Sequence, residues 1–180
     1  EELGLTREVD LHVIGQALMQ TPTEFALFLN VDISSFNNKN FVTELSQLLK
    51  PACDNGRSIT IEITEREMLP ICDTLHQDIQ TLRAFGCKLA LDDFGSGYST
   101  YNFLNQFQPD YLKIEGSFVR GMLHNESDRK IVTHIHELAT SFGMKTIAES
   151  VEDAATEHAL QKIGVSNAQG LFYGAPRLAS

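Results

Sequence analysis

Two adjacent aspartates, Asp92 and Asp93, follow the apolar run Leu89-Ala90-Leu91 and precede Phe94-Gly95-Ser96-Gly97-Tyr98-Ser99-Thr100. Apolar residues leading into paired carboxylates and a loop of glycines and hydroxyls read as a buried strand whose C-terminal end opens into a functional loop. Neighbouring carboxylates repel, and a divalent cation or a shared proton relieves the repulsion. The competing reading is an Asp-Asp pair that merely caps a turn, since Asp is a common turn residue. The rest of the chain has to decide.

The decision comes from where the other polar residues fall. Phe25-Ala26-Leu27-Phe28-Leu29-Asn30-Val31 is apolar on both phases, as in a strand covered on both sides, with Asn30 as its polar side chain. Ser58 to Glu65 alternates with period two, Ile59, Ile61 and Ile63 on one face and Thr60, Glu62 and Thr64 on the other. Tyr111-Leu112-Lys113-Ile114 puts Lys113 opposite Leu112 and Ile114, Met144 to Ser150 carries Glu149, and a short run from Ala168 to Leu171 carries Gln169. Between these runs lie helical patterns. Residues 6–19 form an amphipathic stripe behind Thr6 as a cap, and Phe41 to Leu49 form a helix closed by Pro51. Leu75, Ile79 and Leu82 mark a third, a short segment spans 101–107, Ser127 caps a helix running to Phe142, and Asp153 caps a last one.

Strands alternating with helices, about six strands in all, specify an α/β fold built from βαβ units on a parallel sheet. That pattern fits an open doubly wound sheet or a barrel. Asn30, Glu62, Asp92, Asp93, Lys113, Glu149 and Gln169 each stand at or near the C-terminal end of a strand. In a barrel those ends meet at one mouth, where residues from several strands read as catalytic. The barrel therefore accounts for them better.

An amide, several carboxylates and one ammonium make an oxygen-rich site. Such donors suit hard divalent cations such as Mg²⁺ or Mn²⁺, whereas zinc more often recruits His or Cys. A two-metal layout could clamp the oxygens of an in-line phosphoryl displacement. The same rim also suits an enolase-like proton abstraction by a metal and a lysine, and Lys113 on its own would read as an internal salt bridge.

Composition narrows the partners. At 180 residues and 42% hydrophobic, the chain can bury one sizeable core as a single domain. Its 14 basic and 24 acidic side chains give a net charge of −10, which works against unassisted binding to long nucleic acid or an anionic membrane. Three cysteines without metal-ligand spacing point to free thiols in a reducing, cytoplasmic setting. No apolar run approaches the ~18 residues of a membrane span.

The ordered series Ile61-Glu62-Ile63-Thr64-Glu65, Leu91-Asp92-Asp93-Phe94-Gly95-Ser96-Gly97-Tyr98-Ser99, Tyr111-Leu112-Lys113-Ile114, Ala148-Glu149-Ser150-Val151-Glu152 and Gln169-Gly170 resembles the motifs of the EAL domain family, from Glu2-Leu3-Gly4-Leu5 to Pro176. That family comprises bacterial cyclic-di-GMP phosphodiesterases and inactive relatives. The resemblance implies a modified TIM-type (β/α)8 barrel and Mg²⁺- or Mn²⁺-dependent hydrolysis of cyclic-di-GMP to linear pGpG. It implies Asn30, Glu62 and Asp92 as ligands of one metal, and Asp92 and Asp93 as ligands of the other with Glu149 beside it. Lys113 would contact the attacking water, Glu65 would anchor the loop after Asp93, Gln169 would touch a guanine, and Asp93 also lies on the substrate side. A homodimer and an upstream sensory or GGDEF-type domain are further implications.

Asn30 requires a choice of register, because Val31-Asp32-Ile33-Ser34 also mimics the family's Val-Asn-Leu-Ser; Asn30 keeps Phe36 and Phe41 at the family's apolar positions. Ser96, Glu115-Gly116 and Ser150 depart from the usual residues without removing a ligand. The Glu-Ala-Leu that names the family is expected upstream of Glu1, which leaves these 180 residues one carboxylate and part of a barrel short. A cyclic-di-GMP receptor without turnover is the alternative reading; the retained aspartates, Lys113, Glu149 and Glu65 favour the enzyme.

Overall fold

A computed structural model describes residues 5–64, 73–95, 104, 105 and 107–176. The chain divides into two compact units, the first running through Leu89 and the second from Ala90. Glu65, and most of the 101–107 segment, lie outside the described residues.

The first unit opens with helix α1 (Thr6–Gln20), which begins after Leu5 without a side-chain cap, so Thr6 is its first residue rather than its cap. Ile14 is its buried residue, while Val9 and Val13 are exposed, so the helix turns a narrower apolar face inward than the sequence pattern suggested. Strand β1 (Leu27–Asn30) is shorter than the apolar run around it and alternates in burial. Leu27 and Leu29 face the core, and Phe28 and Asn30 face out. A 3₁₀ turn (Ile33–Asn37) leads to helix α2 (Phe41–Asp54). This helix runs through Pro51 instead of stopping before it. Proline at that place removes one N–H from the ladder. The burial of Phe41, Leu45 and Leu49 along one stripe holds the helix together regardless.

Strand β2 (Ile59–Thr64) pairs in parallel with β1, Leu27 to Ile59 through Asn30 to Glu62. Its polar face is buried as deeply as its isoleucine face: Thr60 is 2% exposed and Glu62 5%. The period-two pattern thus marks two covered faces here, not a solvent-exposed one. Arg57 leads into the strand, is itself buried, and donates to the carbonyls of Leu18, Thr21 and Pro22 at and just beyond the end of α1. Helix α3 (Asp73–Arg83) buries Leu75, Ile79 and Leu82 as its stripe requires.

Strand β3 (Lys88–Phe94) carries the chain into the second unit, which continues through β4 (Tyr111–Ile114), α4 (Gly116–Gly121), α5 (Glu126–Ser141), β5 (Lys145–Ala148), α6 (Ala154–Ile163) and β6 (Asn167–Ala168). Strands β3 to β6 pair in parallel, each with the next. Asn125, not Ser127, caps α5 by accepting from the Ser127 amide at 2.9 Å. Asp153 caps α6 through the Thr156 amide at 2.8 Å, and Gly164 ends it. Leu112, Ile114, Val119, Val132, Ala139 and Leu160 form the core between these strands and helices.

Candidate metal and phosphate site

Consecutive residues of a strand point to opposite faces, so an unbroken β3 would separate Asp92 from Asp93. The register shows how the strand brings them together. Leu91 pairs with Leu112 and Phe94 with Ile114, so two residues of β3, Asp92 and Asp93, stand against one of β4, Lys113. This is a β-bulge, the local device by which a strand re-aims a side chain. Asp93 adopts φ +53°, a left-handed conformation that Asp tolerates better than most residues.

The bulge gathers three carboxylates. Asp92, Asp93 and Glu149 each place an oxygen so that all three lie within 4.8 Å of one another, and all three residues are half-buried. The Lys113 ammonium lies 2.9 Å from Asp92 Oδ1 and 2.8 Å from Glu149 Oε1, with the lysine side chain 5% exposed. Asp92 Oδ1 also accepts from the Asp93 amide at 3.0 Å. Glu149 lies one residue past the end of β5, its amide still bonded to the Ile114 carbonyl, and its Oε1 also accepts from Gln169 Nε2 at 2.8 Å. Burial pushes the Glu149 carboxyl above its ordinary value, and the charges of Asp92 and Asp93 push the same way while Lys113 opposes them.

This donor set fits a hard divalent cation. Its oxygens are close enough to share one ion, and among the described residues no thiol or imidazole joins the group. Lys113 does form the internal salt bridge that it would have suggested alone, but it does so inside this cluster. Gln169, one residue beyond the short β6, lines an open cleft with Glu149, Ser150, Glu152, Leu171 and Pro176.

The first unit holds a second acidic pocket. Asp10, Asn30, Asp32, Glu62 and Thr64 line it together with Val31. Asn30 ends β1 directly across from Glu62. Asp32 is committed elsewhere: its Oδ1 accepts from the Ser34 amide at 2.7 Å and caps the 3₁₀ turn. Asn30 thus stands across the sheet from Glu62, and Asp32 is engaged in the turn that follows. Asp10 is a residue that the sequence pattern passed over. Its signal was present, because it lies four residues before the buried Ile14 and so on the inward stripe of α1.

The EAL domain family model matches residues 1–176. Over 182 residues the chain is 32% identical to the cyclic di-GMP phosphodiesterase PdeF of Escherichia coli K12, covering 98% of this chain and 24% of that protein. Among solved structures it resembles the EAL enzyme Bd1971 in its cAMP-bound form, with a TM-score of 0.86 and 25% identity over 97% of this chain and 51% of the other. It also resembles Klebsiella pneumoniae BlrP1 in a manganese and cyclic di-GMP complex, with a TM-score of 0.82 and 28% identity over 97% of this chain and 45% of the other. The fold is thus of the modified (β/α)8-barrel class, with six parallel strands among the described residues. No helix among the described residues is long and apolar enough to cross a membrane.

Proposed function

This chain belongs to the EAL domain family, and on that premise we propose that it is the hydrolytic part of a cyclic di-GMP phosphodiesterase, opening one phosphodiester bond to give linear pGpG. The observation that carries the proposal is the bulge that sets Asp92 and Asp93 against Lys113 with Glu149 alongside. PdeF is named for this activity, and BlrP1 forms a complex with manganese and cyclic di-GMP.

Two divalent cations, Mg²⁺ or Mn²⁺, would supply Lewis acidity toward the phosphate oxygens and lower the pKa of water at the site. Asp92, Asp93 and Glu149 would hold cation charge in the second unit, and Asn30 and Glu62 are the ligands proposed from the first. Lys113, fixed by two carboxylates, would donate to the attacking water or offset charge developing on the phosphate. Asp93 would also lie against the substrate. Gln169, oriented by Glu149, would present its amide to a guanine edge. Glu65 is proposed to anchor the chain that follows Asp93. With a net charge of −10, this chain reaches an anionic substrate through bound cations more readily than through basic side chains. The same reading places the reaction in the cytoplasm, with a second copy as partner and a sensory or GGDEF-type domain elsewhere in the natural protein.

The test is incubation of the protein with cyclic di-GMP and Mn²⁺, followed by chromatography for pGpG. Turnover that needs the metal and falls by orders of magnitude in Asp92→Asn supports the proposal. Binding without turnover makes the chain a receptor, and neither binding nor turnover overturns the substrate.

A further inference from the structure

The chain that leaves β1 is fastened on two sides immediately after Asn30. On the sheet side the Val31 amide donates to the Glu62 carbonyl at 3.0 Å. On the helix side the Asp10 carboxylate takes two hydrogen bonds on one oxygen: the Asp32 amide at 3.2 Å and the Ser35 hydroxyl at 2.7 Å. Asp10 is itself fixed, because it stands one helical turn from Ile14, which is 1% exposed and anchors α1 in the core.

We infer that Asp10 is a positioning residue for Asn30: by holding the Asp32 amide and the Ser35 hydroxyl it sets the direction in which the end of β1 presents the Asn30 side chain to a cation. The inference rests on the proposed role of Asn30 as a metal ligand. Asp10 does not touch the substrate in this account; it acts through the backbone that carries Asn30.

The energetics make the anchor specific. Ser35 is 3% exposed, so its hydroxyl cannot turn to bulk water when Asp10 is removed. A buried donor left without an acceptor is costly, and the turn relieves that cost by shifting. Asp32 cannot stand in, since its own carboxylate faces the Ser34 amide. Loss of a residue that orients a metal ligand typically costs about 10–100-fold in metal affinity.

Asp10 also adds negative charge to a pocket that Asn30 and Glu62 line, so positioning must be separated from charge. Asparagine does this, because its carbonyl oxygen still accepts both hydrogen bonds while the charge is gone. The experiment is a Mn²⁺ titration read by the paramagnetic resonance of the free ion, with the thermal unfolding midpoint measured on each protein. The proteins are wild type, Asp10→Asn, Asp10→Ala, Ser35→Ala and Asn30→Ala.

Asp10→Ala should weaken the Mn²⁺ site that Asn30→Ala also weakens, by about tenfold. Ser35→Ala should show a smaller loss of the same kind, and Asp10→Asn should recover most of the wild-type affinity. An Asp10→Asn protein as weak as Asp10→Ala overturns the inference in favour of charge alone. Unchanged affinity in Asp10→Ala beside weakened Asn30→Ala overturns the inference and leaves the metal reading intact. Unchanged affinity in Asn30→Ala overturns the metal reading of that residue and the inference with it. Should Asp10→Ala unfold, Ser35→Ala and Asp10→Asn decide by themselves: equal, full affinity in both overturns the inference.

Discussion

The Lys113 ammonium lies 2.9 Å from the Asp92 carboxylate, on the strand next to the one that carries it, and 2.8 Å from Glu149. Lysine here neutralises carboxylates that would otherwise repel one another in a half-buried setting. Removing it has two opposite consequences. Lys113→Met leaves the carboxylates uncompensated, and breaking a buried pair by deleting one partner costs about 3–5 kcal/mol. The same change strips a positive charge from beside the proposed cation and should tighten Mn²⁺ binding by about tenfold or more. Thermal unfolding in EDTA and Mn²⁺ titration test both: a variant that is less stable without metal, binds Mn²⁺ more tightly and lacks the proposed cyclic di-GMP hydrolysis is expected. Weaker Mn²⁺ binding would show that Lys113 organises the carboxylates more than it opposes the cation.

Glu149 predicts a pH dependence. Burial is the first cause that raises its carboxyl above the ordinary 4.5, followed on the same side by the charges of Asp92 and Asp93. A carboxyl that holds its proton more tightly when folded means that the native state binds more protons than the unfolded one in that window. Stability is then fully present below the unfolded value and is lost as pH rises through the folded one. Urea unfolding of the metal-free protein should therefore show stability declining as pH climbs above 4.5. Glu149→Gln should flatten that decline, and saturating Mn²⁺ should do likewise in the wild type. A wild-type curve that rises through this window would contradict the assignment.

Much of the architecture was legible because local chemistry and global fold agree. The isoleucine alternation of β2, the stripes of α3 and α5, and the caps at Asp153 and Gly164 all stand where their residue types demand. Pro51 misled because the ladder bond it removes weighs less than the burial of Leu45 and Leu49. Ser127 misled because Asn125, two residues earlier, competes for the same capping role and takes it. At the site, the residue types at strand ends were readable and the resemblance implied that Asp92, Asp93 and Glu149 stand together, but the backbone device that groups them was not legible. Period-two reasoning sends Asp92 and Asp93 to opposite faces, and only the bulge, a departure from that period, reverses the result. Asp10 escaped notice for a related reason. A helix stripe is scored by its apolar members, and an acidic residue on the inward face is invisible until the loop it holds is seen.

Ser150 and Gly116 predict a coupling. Ser150 follows Glu149 with φ +55°, an uncommon conformation for a residue with a Cβ. Across from it, a Cβ placed on Gly116 would come within 2.3 Å of Ser150 Oγ and 2.8 Å of its Cβ. Ser150→Gly should stabilise the protein by about 1 kcal/mol, by releasing left-handed strain. Gly116→Ala alone should destabilise it through the collision. The double variant should recover most of that loss, because the atoms struck are gone; Arg120 remains nearby but at the flexible end of its side chain. Urea unfolding of all four proteins gives the coupling energy directly. Additive effects would mean that the backbone already yields at Gly116.

The last prediction concerns Gly170, beside the Gln169 side chain that reaches Glu149. Gly170 adopts φ +155°, and a Cβ there would lie 2.2 Å from the Val151 carbonyl oxygen and 2.3 Å from its nitrogen. Those two backbone groups are already used: the Val151 amide donates to the Gln169 carbonyl at 3.0 Å, and its carbonyl accepts from the Phe172 amide at 3.0 Å. Alanine at 170 must therefore break a two-bond clamp that fixes Gln169. Gly174 supplies the control, since it has nearly the same φ, +153°, but nothing within 4 Å of its would-be Cβ. Gly174→Ala should cost about 1–3 kcal/mol from backbone strain alone. Gly170→Ala should cost distinctly more, and the excess measures the collision. It should also lower affinity for the proposed ligand, cyclic di-GMP, further than Gln169→Ala does, because Glu149 loses a donor and the cleft wall moves with Val151. Calorimetric unfolding and ligand titration on the three variants decide the matter. Equal costs at 170 and 174 would show that the clamp yields without loss, and that Gln169 is held by Glu149 alone.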